Sequence, residues 1–257
     1  VGLGLKVMVA ATIFTTLLFF LVLPFFGQLK SKGRLAYLFL FLFFAFGISS
    51  HIQSDFNEER PKPSSLLYVY NADENSSQWA TYDHELISWN GQFLGDNGKK
   101  PEAKTISSKY RTNLSRVADA PKKDIPMPYV DTVMDTIIGA NRVIELCITP
   151  KRNVNRLEVF ANPVEFSKAK VNRIELSSHF LENRSSKLVT HYISNNDFTE
   201  LQLEFPKDAV LELTLYEASN DLLTHPDFSI PERPKNSIPT PFVLNDAILT
   251  IKTLRFE

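Results

Sequence analysis

The chain has 257 residues, 22% of them charged, with 28 Lys plus Arg against 29 Asp plus Glu and a single cysteine. Residues 1–50 hold four basic residues, no acidic ones and ten of the twenty phenylalanines, so the remainder is net acidic, with 24 Lys plus Arg against 29 Asp plus Glu. An acidic remainder argues against nucleic acid as a partner, and one cysteine excludes an intrachain disulfide.

From Val7 to Phe26 the sequence "VMVAATIFTTLLFFLVLPFF" runs twenty residues without a charge. At about 1.5 Å per residue it covers a hydrocarbon core of about 30 Å, so it predicts a transmembrane helix at 7–26. Thr12, Thr15 and Thr16 can return their hydroxyls to the backbone, and Pro24 falls near the end, where a lost amide bond costs least. "LAYLFLFLFFAFGISS", 35–50, is shorter but apolar all the way round, which predicts a second span rather than an interfacial helix with a polar face. The loop between them, "GQLKSKGR", carries Lys30, Lys32 and Arg34 without an anion and is expected on the cytoplasmic side. The rest of the chain then faces periplasm, exterior or organelle lumen. Val1 opens the sequence inside an apolar segment, as expected of a fragment or processed product whose parent continues upstream.

Residues 53–65, with "NEERPKPSS", form a proline-broken linker, and 66–257 make one extracytoplasmic domain. Its strand signals are dense. "LQLEF" (201–205) alternates Leu201, Leu203 and Phe205 with Gln202 and Glu204, and "AVLELTLYE" (209–217) sets Leu211, Leu213 and Leu215 against Glu212, Thr214 and Tyr216. Similar runs lie at 66–70, 143–149, 156–160, 173–177, 187–193 and 247–256. The expected fold is mainly β: two transmembrane helices, then an antiparallel β-sandwich with one short helix in "HELISWNGQFLG", 84–95. Residues 95–113 read as a polar loop.

Chemistry is sparse. Five histidines stand singly, with no HExxH and no Cys/His zinc spacing, and no GxSxG elbow or phosphate-cradling glycine loop is present. Asp83, His84 and Glu85 are consecutive, so their side chains diverge; Asp83 reads as a helix cap with Glu85 in the first turn. Cys147 reads as a small buried hydrophobe and His191 as an outer-face strand residue. Tyr68, Tyr70, Trp79, Tyr82 and Trp89 are candidates for an aromatic surface that binds sugar or peptide, with core or interface anchoring as the competing role. Asn75, Asn113 and Asn183 each begin an Asn-x-Ser glycosylation sequon.

"RPKPSSLLYVYNADENSSQWATYD", 60–83, resembles a segment of the membrane-bound M28 metallopeptidases, the family of endoplasmic reticulum and vacuolar membrane proteases and their bacterial relatives. Pro61, Pro63, Ser65, Leu66, Tyr68, Ala72, Asp73, Trp79 and Asp83 carry the likeness, and in "IPTPFVLNDAILTIKTLRFE" Pro239, Pro241, Asp246, Lys252 and Thr253 extend it to the closing strand. Asn71 and "ENSS" depart from the commoner pattern. The resemblance implies a parent with an upstream zinc aminopeptidase domain as partner, and a chain that is a non-catalytic membrane anchor and accessory domain. None of the family's zinc ligands falls on a position of this sequence, so no cofactor is expected in the chain itself and zinc belongs upstream. A free-standing membrane-anchored β-sandwich that binds a ligand or protein is the alternative, and a hydrolase built on Asp83, His84 and Glu85 ranks last.

The hairpin orientation predicts opposite labelling of Ser31→Cys and Asn97→Cys, each combined with Cys147→Ser, by a membrane-impermeant thiol reagent on intact cells. Outside labelling at position 31 reverses the topology.

Overall fold

The computed structural model describes residues 5–28, 31–95 and 113–257, and divides into two compact units, 1–56 and 57–257. The first holds helices α1 (Leu5–Gly27) and α2 (Lys32–Ile52). In α1, Thr16 Oγ1 donates to Thr12 O at 2.8 Å, returning a hydroxyl to the backbone as the sequence suggested. The helix α2 is long and apolar enough to cross a membrane and buries none of its residues within the unit, whereas the apolar stretch Val9–Phe25 of α1 is shorter. One clear apolar helix therefore stands where two spans were expected. A helix of this kind near the N-terminus serves either as a span or as a signal sequence.

The second unit is mainly β. Its strands are β1 (Lys62–Ser64), β2 (Leu67–Asn71), β3 (Ser76–Thr81), β4 (Arg116–Asp119), β5 (Tyr129–Ile138), β6 (Asn141–Thr149), β7 (Arg156–Ala161), β8 (Lys168–Val171), β9 (Ile174–Glu175), β10 (Lys187–Tyr192), β11 (Thr199–Pro206), β12 (Leu211–Ser219), β13 (Ser237–Pro239) and β14 (Ala247–Phe256). The helices α3 (Ser88–Leu94) and α4 (Ser178–Asn183) complete it, so two short helices replace the single one expected, and α3 starts later than the spacing suggested. The chain as described has three sheets and four helices. The sheet orders are β10-β7-β12-β14-β2-β3-β4, β5-β6-β11-β8-β9 and the pair β1-β13. Pairing is not wholly antiparallel: β2 runs parallel to β14, with Leu67 opposite Ala247, and β1 runs parallel to β13. Parallel partners need a long crossover, and here nearly the whole domain intervenes, which no local pattern reveals.

Alternation dictates burial where one face is dry. Leu211, Leu213 and Leu215 are at most 1% exposed and join Leu201, Leu203 and Phe205 of β11, Ile144, Leu146 and Ile148 of β6 and Leu157 and Val159 of β7 in one core cluster. That cluster draws side chains from both larger sheets. Past Leu215 the alternation ends, and Tyr216 to Ser219 are all buried, because the second half of β12 pairs with the buried first half of β14, next to β2. There both faces of the sheet are covered. One face carries Leu67, Val69, Tyr216, Leu249 and Ile251, and the other carries Leu66, Tyr68, Trp79 and Ile248 beneath Trp89 and Leu94 of α3.

The structure corrects two single-residue expectations. Cys147 is half-buried, not buried, with Sγ 3.9 Å from Thr149 Oγ1. A register shift between Lys187 and Val189 places His191 opposite core residue Leu157. Its ring reaches Thr199 Oγ1 at 2.8 Å and Asn172 Nδ2 at 3.4 Å, joining β10 to the other large sheet rather than facing out.

Residues 57–257 are predicted to melt cooperatively with a strand-dominated circular dichroism spectrum. Leu213→Asp should cost on the order of 4 kcal/mol by burying a lone charge, and Glu212→Leu little. A larger loss from Glu212→Leu means that the faces are reversed.

Candidate functional site

The most elaborate polar assembly lies where the segments 61–90 and 231–246 meet. Ser65 Oγ lies 2.9 Å from Thr81 Oγ1, which itself donates to Ser65 O at 2.8 Å, tying the start of β2 to the end of β3. The Asp83 carboxylate accepts from Ser65 N at 2.9 Å, Ser65 Oγ at 2.9 Å and Asn90 Nδ2 at 2.7 Å. It does not cap the helix: α3 begins at Ser88, and the Ile87 N–H is taken instead by Asn90 Oδ1 at 2.9 Å. Across this junction Arg233 donates to Asp246 Oδ1 at 2.5 Å, to Ser64 O at 3.2 Å and to the hydroxyls of Ser64 and Ser237, while its guanidinium stacks 4.2 Å over the Trp89 ring. Burial pushes the Asp246 carboxyl up, against the opposing pull of Arg233. Most of these polar side chains hold backbone, while Asp246 and Ser237 hold Arg233, so the assembly is a clasp between distant strands.

The five aromatics proposed as a surface are divided and mostly hidden. Tyr68, Trp79, Tyr82 and Trp89 are 0, 8, 5 and 4% exposed, and Tyr70 is half-buried. Tyr68 and Trp79 meet edge-on at 5.3 Å, and Phe228 packs 4.7 Å from Tyr68. The Tyr68 hydroxyl lies 2.9 Å from Ser77 Oγ and from Pro121 O, and Trp89 Nε1 donates to Pro231 O at 2.8 Å. Tyr82 packs in the other cluster, on the opposite face. The platform expectation is therefore corrected: alternation along β2 and β3 points these rings into a core covered by α3. Both the alternation and a short helix within 84–95 are visible in the sequence; that this helix folds over the rings is not.

His84 and Glu85 are exposed, and Glu85 pairs with Lys62 at 3.5 Å, so the triplet does not converge. Among the described residues no group of three or more His, Cys, Asp or Glu is placed to hold a metal ion. The sequon asparagines Asn75, Asn113 and Asn183 are all exposed.

Two further buried carboxylates were not found by sequence reading. Glu158, fully buried, meets Arg156 at 2.5 Å and Thr190 Oγ1 at 3.1 Å. Glu217, 1% exposed, faces Arg152 at 3.6 Å, whose guanidinium also donates to Glu217 O at 3.0 Å and to Ser219 Oγ. Burial pushes the Glu217 carboxyl up to about 7, with Arg152 pulling the other way. On β7, Glu158 occupies a position that alternation assigns to the solvated face, whereas Glu217 of β12 shares the parity of the core residues Leu211, Leu213 and Leu215.

A cleft of about 830 Å³ opens beside the loop after β7, lined by Phe160, Phe166, Arg184, Ser186, Glu212 and Thr214 among others. Arg184 forms its floor, donating to Asn162 O at 3.0 Å and Val164 O at 2.8 Å and stacking 4.9 Å over Phe166. Its charge is spent on fastening that loop, and burial lowers its pKa.

No family model matches the chain, and no curated protein matches it.

The buried Glu217 sets a pH dependence. Its folded pKa of about 7 lies above the unfolded 4.5, so the folded state holds the proton more tightly. The stability it contributes is complete below pH 4.5 and is lost as pH rises to 7, by at most about 3 kcal/mol at about 1.4 kcal/mol per pKa unit. Urea unfolding of residues 57–257 from pH 4.5 to 8 should show Glu217→Gln losing this fall relative to the parent. An identical pH slope in the two proteins removes the assignment.

Proposed function

We propose that the chain is the membrane anchor and accessory domain of an M28-type zinc aminopeptidase, with the catalytic domain and its zinc upstream of Val1. In this reading α1 and α2 both span the bilayer, the two larger sheets pack as a β-sandwich, and the domain stands on the non-cytoplasmic side, where it supports the peptidase domain without contributing a ligand to its metal. One observation carries the reading. The two stretches that resemble the family lie at opposite ends of the domain's sequence, and they meet as neighbouring strands: β1 beside β13, β2 beside β14, with Asp73 Oδ2 accepting from Thr253 N at 2.9 Å. Residues that match one family's pattern and also interlock in space are those a shared architecture would retain. The shared core cluster supports the sandwich.

The second reading is a free-standing anchored domain that binds a ligand, and the cleft floored by Arg184 is what favours it.

The parent separates the two. Its reading frame is expected to continue upstream into a His-x-Asp and Glu-Glu zinc set. The full product should bind zinc and release aminoacyl reporters, and residues 1–257 alone should do neither. A signal peptide directly before Val1 would instead select the binding domain. One zinc per 257-residue chain, lost together with activity in His84→Ala, would overturn both.

A further inference from the structure

We propose that Asn75, Asn113 and Asn183 accept N-linked glycans, and that at Asn75 and Asn113 the transfer precedes folding of the domain. This rests on the reading that places the domain on the non-cytoplasmic side, taken as the lumen of an organelle in a cell that glycosylates Asn-x-Ser sequons. Each asparagine is followed two residues later by serine, and each is exposed in the folded domain. Asn75 occupies the tip of the β2–β3 hairpin with φ 54°, and the Tyr70 hydroxyl engages only its carboxamide oxygen, at 3.3 Å. Asn183 ends α4 and donates from Nδ2 to His179 O at 2.9 Å. A glycosylated carboxamide keeps one N–H and so retains that bond.

The timing follows from the serines. In the transfer, Asn Nδ2 forms a bond to the anomeric carbon of a lipid-linked oligosaccharide diphosphate. The bond from that carbon to the diphosphate breaks, and one amide proton leaves with the lipid diphosphate. The enzyme must reach the asparagine and the serine hydroxyl together. In the folded domain Ser77 is 8% exposed with its hydroxyl held by Tyr68 at 2.9 Å, and Ser115 Oγ donates to Thr81 O at 3.2 Å and to Asp83 O. The folded protein therefore shows these two asparagines without their hydroxyls. A chain whose β2, β3 and β4 have yet to pair shows both, because Ser77 is held by Tyr68 of β2 and Ser115 by the end of β3.

The test is cell-free translation of residues 1–257 with endoplasmic reticulum microsomes, read by gel mobility with and without a peptide-N-glycosidase, and with added protease to establish sidedness. Three glycosidase-sensitive steps on a protease-protected domain are expected, one lost in each of Asn75→Gln, Asn113→Gln and Asn183→Gln. Ribosome-bound chains truncated before Ala247 should already carry the Asn75 and Asn113 steps. A protected domain with no shift overturns the proposal and leaves the sidedness standing, whereas a digested domain overturns both. A variant that leaves the pattern unchanged removes its own asparagine, and steps seen only on complete chains overturn the timing.

Discussion

The strand β14 is the constraint on which the second unit depends. It lies fourth of seven in the large sheet, antiparallel to β12 on one side and parallel to β2 on the other. Without it the sheet falls into a β10-β7-β12 part and a β2-β3-β4 part with no strand in common. Its first five residues, Ala247 to Ile251, are buried on both faces, and its later residues alternate between half-buried and exposed. Both halves of the core thus wait on the last strand of this chain. Long-range pairing of this kind is slow to form because the loop it closes must be ordered first. The hairpin of β2 and β3 stays unpaired on one side until then.

A parallel strand docked between distant parts of the chain also needs something to fix its register. Main-chain pairing of five residues would tolerate a slip, and alternation punishes only odd ones. Here the clasp supplies the missing specification. Asp83 binds the Ser65 backbone immediately before β2, and Arg233 binds both Ser64 and Asp246, the residue immediately before β14. Both strands are therefore held at their starting residues. Asp246 adopts φ 49°, a left-handed turn that Asp tolerates better than most residues and that redirects the chain into β14. Losing either Arg233 or Asp246 would strand a buried charge as well as a register pin.

Much of the architecture was legible in the sequence where one physical rule acted alone. The stretch 247–256 is a strand over its full predicted length, and β11 and the first half of β12 follow alternation because each pairs a dry face with a wetter one. The strand β5 escaped for the opposite reason. All its residues are exposed or half-buried, and an irregular register between Thr132 and Met134 breaks its period. Short β1, β8 and β13 owe their extension to a partner rather than to their own composition. The aromatic cluster shows a third kind of failure. Tyr68, Trp79 and Trp89 were identifiable as a group, but whether such a group is surface or core depends on α3, Ile125 and Phe228 closing over it, and those arrive from three separate places in the chain. The expected polar loop at 95–113 lies, apart from its two end residues, outside the described residues.

The same distinction bears on what the family likeness can mean. Ser65, Leu66, Tyr68, Trp79, Asp83 and Asp246 carry it, and their side chains are spent on the clasp and on the core beneath α3. The buried part of the motif therefore records the requirements of a fold, whereas Asp73, Pro239, Pro241 and Thr253 of the same likeness are exposed. It constrains function only through what the fold is attached to. Those inward-pointing residues fix how the two ends of the domain meet, which is where the likeness and the structure coincide.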